Sequence, residues 1–146
     1  MFSHLEKIDL IEIGGLTVNK YLKIVLLGFF VWLVPFIVSF FMYPLKTAGN
    51  PLFESVMPVI ISLITVVLAG IYLKNADGDL LGEGILIGVV WFLMSVIIDL
   101  FLFLPPSPMQ MSINGYFMDI GITYLIIPII TIGMGYLTGK NDLNKM

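Results

Sequence analysis

A chain of 146 residues has room for one compact unit. At 59% hydrophobic and 12% charged residues, with a mean hydropathy of +1.05, it lies far outside the composition of soluble domains. A net charge of −3, a pI near 4.8 and cations that are all lysine leave no basic stripe for nucleic acid and no guanidinium fork for phosphate. The lack of cysteine excludes disulfides, thiolate metal sites and cysteine nucleophiles.

Residues 1–19 carry Glu6, Lys7, Asp9 and Glu12 ahead of any apolar run, and no small-residue cleavage site follows the first one, so a cleaved signal peptide is not expected. Leu5, Ile8, Leu10 and Ile11 alternate with these charges up to Gly14-Gly15. The expectation is a cytoplasmic lead, either an interfacial helix over residues 2–13 or an unstructured segment.

Four apolar stretches follow, 24–43, 53–73, 84–104 and 116–137, each near the roughly 20 residues needed to cross about 30 Å of hydrocarbon. The connections 44–52, 74–83 and 105–115 hold the turn signals Gly49-Asn50-Pro51, Asp77-Gly78, Pro105-Pro106 and Asn114-Gly115. The predicted fold is therefore all-α, a single transmembrane domain over residues 1–146 built as an antiparallel four-helix bundle. Lys7, Lys20, Lys23, Lys74, Lys140 and Lys145 fall on the side of both termini, and Lys46 alone on the other. This asymmetry predicts a cell-membrane protein with both termini cytoplasmic. Shifting the first span by about sixty positions aligns Gly28 with Gly88, Ile37 with Ile97 and Ser39 with Asp99. A shift of about sixty-five lays Glu54 on Asp119, a pattern of two helical-hairpin repeats.

At 3.6 residues per turn, each span gathers its small and polar residues on one face. These faces are Gly28, Trp32, Pro35 and Ser39; Glu54, Pro58, Ser62, Thr65 and Ala69; Gly84, Gly88, Trp91, Ser95 and Asp99; and Gly121, Tyr124, Pro128, Thr131, Gly135 and Gly139. Gly84-Gly88 and Gly135-Gly139 are GxxxG steps, read as close packing of the third and fourth helices, with homodimerisation as the rival.

The informative polar residues are carboxylates. Glu54 and Asp119 fall near helix starts, where the positive end of the helix dipole favours an acid, and Asp119 projects away from its own small-residue face. Asp99 lies inside the third span near its C-terminal end. There desolvation and the dipole's negative end both oppose its charge, so it calls for a proton, a cation or a donor such as Ser95 or a neighbouring helix. An acid at such a position is a functional candidate. Prolines 35, 58 and 128 each remove a backbone donor within a span.

Enzyme chemistry finds no constellation, and none is expected. His4 is the one imidazole, and no GxGD signature accompanies the aspartates. The acidic turn at 75–83 does not fit an EF-hand, and Met109, Met111 and Met118 lack the companions of a copper site. No cofactor is expected and the identity of any metal is open. The stretches PFIVSFFMYPL (35–45), NPLFESVM (50–57) and YFMDIGITYLIIPI (116–129) resemble small four-helix prokaryotic membrane proteins of uncharacterised function. That resemblance implies the fold and no activity.

The functional expectation is an oligomeric membrane protein that binds or conducts a cation or small solute through an outward-facing acidic site. Asp99 is its principal group, Glu54 and Asp119 stand at the rim, and Ser95 and Tyr124 lie close by. The alternative is a binding or assembly subunit that docks a larger membrane partner through Gly84, Gly88, Gly135 and Gly139. The bilayer is the expected surrounding in both readings.

Overall fold

The computed structural model describes residues 10–13, 16–106 and 110–144. Strands β1 (Leu10–Ile13) and β2 (Leu16–Asn19) pair antiparallel, Leu10 opposite Asn19 and Ile13 opposite Leu16. The interfacial helix expected over 2–13 is thus corrected for its last four residues, and residues 2–9 lie outside those described. Ile11, Ile13, Thr17 and Val18 are β-branched residues that favour extended backbone, and this local preference outweighs the irregular amphipathic pattern.

Asn19 closes the ladder and caps helix α1 (Lys20–Thr47), its side chain accepting from the Tyr21 amide at 2.9 Å. A turn with Gly49 at φ +70° leads to α2 (Leu52–Lys74), and one with Gly78 at φ +86° leads to α3 (Leu80–Phe103). Glycine meets both positive angles without a Cβ penalty. The fourth span is broken. It consists of α4 (Ile113–Tyr116), a π-helical turn (Phe117–Gly121), a 3₁₀ turn (Thr123–Leu125) and α5 (Ile126–Asn144), with a bend of 42° between its halves. Pro128 accounts for part of the break, since it lacks the N–H that the Tyr124 carbonyl would accept in a regular helix.

Helix α1 packs on α2 and α3, and α5 packs on the same two, so that α2 and α3, consecutive in sequence, stand diagonally across the bundle. Hairpins α1–α2 and α3–α5 thus lie flank to flank. They differ in build, because α2 is continuous and its counterpart is broken.

Two indoles tie the parallel pair α1 and α3. The Trp91 Nε1 donates to the Ile24 carbonyl at 2.8 Å, and Trp32 Nε1 donates to Asp99 Oδ1 at 2.6 Å. Gly28 makes room for the first, since a Cβ there would lie 2.6 Å from Trp91 Cδ1. The antiparallel pair α3 and α5 is closer still. A Cβ on Gly84 would collide with the Thr131 carbonyl, one on Gly135 with the Leu80 carbonyl, and one on Gly88 would lie 2.8 Å from Pro128 Cα. At Gly139 a Cβ would meet only Leu80 Cβ at 3.7 Å, an ordinary contact. Three of the four glycines of the GxxxG steps are therefore consumed by packing within the chain, and Gly139 is not needed for it.

Val31, Ala69, Tyr72, Ile87, Trp91 and Ile127 fill the interior. The outside is apolar as well, with Phe40, Phe41, Val59, Leu63, Phe101 and Ile129 all exposed. Helices α1, α2 and α3 are each long and apolar enough to cross a membrane, and the bent pair makes a fourth if counted as one span. At the end where α1 and α3 begin, Glu83 accepts from Lys20 Nζ at 2.5 Å and from the Tyr72 hydroxyl at 2.5 Å, while buried Lys23 stands over the Tyr72 ring.

Candidate functional site

The opposite end of the bundle holds a cavity of about 320 Å³ between α1, α2, the end of α3 and the broken part of the fourth span. Its polar lining is Ser39, Glu54, Asp99, Asp119, Thr123 and Tyr124, and the rings of Phe36, Phe53 and Phe103 share the walls with aliphatic, proline and methionine side chains. A second space of about 220 Å³ adjoins it, sharing Ser39, Phe53, Phe103 and Ile120 and adding Lys46 and Gln110. Four of the five residues singled out for a ligand from sequence, Asp99, Glu54, Asp119 and Tyr124, meet at this one cavity.

Asp99 is the deepest of them, 2% exposed. Its carboxyl group accepts from Trp32 Nε1 on one oxygen at 2.6 Å and from the Tyr116 hydroxyl on the other at 2.9 Å, and Tyr124 lines the same cavity. Both hydrogen-bond partners are neutral donors, and indole can do nothing but donate. The surroundings therefore suit an acceptor. They hold the group rigidly, because Trp32 is itself stacked on Phe36 with centroids 4.8 Å apart and Tyr116 is fully buried against Phe103.

Glu54 stands in the first turn of α2, exposed at the rim, where the helix dipole favours it. Asp119 is also exposed, and its Oδ2 pairs with Lys46 Nζ at 2.8 Å across the mouth. The ammonium of Lys46 lies at the same time over the Phe53 ring, 5.4 Å from its centroid. The sequence projection turned Asp119 away from the interior. The π-helical turn inserts an extra residue into its own coil, and with the 42° bend this brings Met118, Asp119 and Ile120 to the cavity wall.

Ser95 is the candidate that the structure leaves outside. It is fully buried one turn below Asp99, its hydroxyl has no hydrogen-bond partner, and it does not line the cavity. The donors that Asp99 uses come instead from α1 and the fourth span. Trp32 and Tyr116 were not singled out as site residues from sequence. Trp32 carried a signal, since an indole in mid-span on the polar face must find an acceptor. Tyr116 carried none, since its partner lies across a loop whose path the sequence does not specify.

The three carboxylates share a cavity without forming a metal centre. Among the described residues no three acidic or histidine side chains are grouped so as to hold a metal ion. What the arrangement offers chemically is negative charge over an apolar, partly enclosed space with three aromatic rings in its wall, and one built-in ammonium at its mouth. Comparisons of the chain with family models, curated proteins and solved structures found no match.

Proposed function

We propose that this chain is a polytopic protein of the cell membrane, both termini cytoplasmic, that takes up a small cationic solute from the outer side into the Asp99 cavity. The observation that carries the reading is the cavity itself: it gathers Glu54, Asp99 and Asp119 at the end of the bundle where Lys46 is the one lysine among the described residues. The apolar girdle supports insertion, and Lys20, Lys23, Lys74 and Lys140 at the other end support the orientation. Its size falls in the usual range of small-ligand sites, about 300–1,000 Å³.

Binding is the step that a single chain accounts for. Below Asp99 the axis is filled by Trp91, Ile87 and Ile127, each fully buried, so conduction would need a rearrangement or a second copy. The rival reading, docking of a larger membrane partner through the glycine faces, has less support because Gly84, Gly88 and Gly135 are already engaged between α3 and α5. Duplication of a two-helix hairpin fits the flank-to-flank arrangement, and kinship with the small prokaryotic four-helix proteins that the chain resembles rests on the sequence stretches alone; both belong to the same proposal.

The natural absence of cysteine makes the test direct. Single cysteines at Thr123 in the cavity and at Asp77 in the opposite loop are exposed to a membrane-impermeant maleimide on intact cells. Labelling at residue 123 with none at 77 is expected. The reverse pattern would overturn the orientation, and labelling of neither would overturn the open cavity.

A further inference from the structure

The solute can be narrowed to a chemical class, an inference that rests on the cavity reading just given. A carboxylate offers about four acceptor positions, and Asp99 has two of them filled, one on each oxygen, by Trp32 and Tyr116. The group also borders the cavity beside Tyr124, so a free acceptor position is open to an occupant. Neither donor brings positive charge, and the lysine at this end is spent on Asp119. A buried carboxylate without a counter-charge is costly, and an occupant that supplies one charge and one donor removes that cost.

The walls decide which cation. Calcium takes six to eight oxygens, and the smaller hard cations keep tightly held water. Here both oxygens of Asp99 already face N–H or O–H donors, the carboxylates do not group as metal ligands, and the remaining wall is apolar, with three phenylalanine rings among aliphatic, proline and methionine side chains. Aromatic faces favour weakly hydrated organic cations. The protein displays the same recognition at the mouth, where the Lys46 ammonium sits on Asp119 at 2.8 Å and over Phe53 at 5.4 Å.

We infer that the cavity selects a small organic ammonium ion that still bears an N–H, placing that N–H on a free acceptor position of Asp99 and its alkyl or aryl part against Phe36, Phe53 and Phe103. A quaternary ammonium has the charge but cannot supply the donor. A neutral alcohol has the donor but not the charge.

The experiment is calorimetric titration of the full chain in lipid nanodiscs with butylammonium, its N,N,N-trimethyl counterpart and butanol, each repeated in sodium and in calcium chloride. Butylammonium is expected to bind at least about tenfold more tightly than either analogue, since it alone makes a charge-assisted hydrogen bond. Asp99→Asn is expected to abolish that preference. The comparison between ligands in the unaltered protein stands even where the variant folds poorly. Equal or tighter binding of the trimethyl compound would overturn the donor requirement and leave the cavity reading intact. Displacement of butylammonium by millimolar sodium or calcium would overturn the organic class while keeping a cation site. No binding of any probe would overturn both readings.

Discussion

Gly84→Ala places a methyl group where two backbones meet. The added Cβ would overlap the Thr131 carbonyl oxygen and lie 3.3 Å from Gly135 Cα, and neither is a side chain that could rotate away. Relief requires α3 and α5 to move apart along the most extensive helix contact in the bundle. Overpacking of this kind costs about 1–3 kcal/mol, while alanine returns up to about 1 kcal/mol of helix propensity, so a net loss of about 1–2 kcal/mol is expected. Gly133→Ala on the facing helix α5 is the control, because a Cβ there meets nothing within 4 Å. It should leave stability unchanged or raise it by up to about 1 kcal/mol. The assay is reversible unfolding in bicelles by steric trapping, run at two protein concentrations tenfold apart. Equal stability of the two variants would refute the close-approach argument. A Gly84→Ala defect that fades at the higher concentration would show that the glycines pair between chains instead of within one.

Three further substitutions probe the site. Trp32→Phe should destabilise by about 1.5–3 kcal/mol in the same assay, because it removes a donor from a buried carboxylate while preserving the stack on Phe36. Ser95→Ala should be neutral or stabilise by up to about 1 kcal/mol, since the hydroxyl it deletes is buried and unpartnered; a loss above about 2 kcal/mol would reveal a partner such as an internal water. Lys46→Met should change stability by less than about 1 kcal/mol, as expected for a partly exposed ion pair, and should raise butylammonium affinity up to about fivefold by freeing Asp119; unchanged or weaker binding would show that Lys46 does not compete with the occupant.

Much of the helical architecture was legible because apolar run length and turn residues are local properties. Helices α1, α2 and α3 appear where the runs 24–43, 53–73 and 84–104 placed them, with α1 extended by about a turn at both ends, its last four residues taken from the expected connection 44–52, and α3 by about a turn at its beginning. The small-residue faces also pointed inward as periodicity implied, and Gly84, Gly88 and Gly135 take up the contact expected of them. What a short loop does not encode is which helices become neighbours. It requires α2 and α3 to run in opposite directions, yet they stand on a diagonal, and the partner of Asp99 on α1 follows from that arrangement alone. The break in the fourth span was hidden for a related reason. Gly121 and Pro128 were visible, but a projection at 3.6 residues per turn has no place for a π-helical turn, and it therefore set Asp119 on the wrong face. The strand pair at residues 10–19 was missed because four-residue runs of apolar and charged residues fit an interfacial helix as readily as a hairpin.

The central claim is that Asp99 receives a cation directly, and infrared difference spectroscopy of the carboxyl region in lipid tests it most closely. Butylammonium added to the unaltered protein should shift a band that is missing from Asp99→Asn. Superimposable spectra before and after addition, at concentrations where calorimetry detects binding, would place the occupant elsewhere and contradict the account.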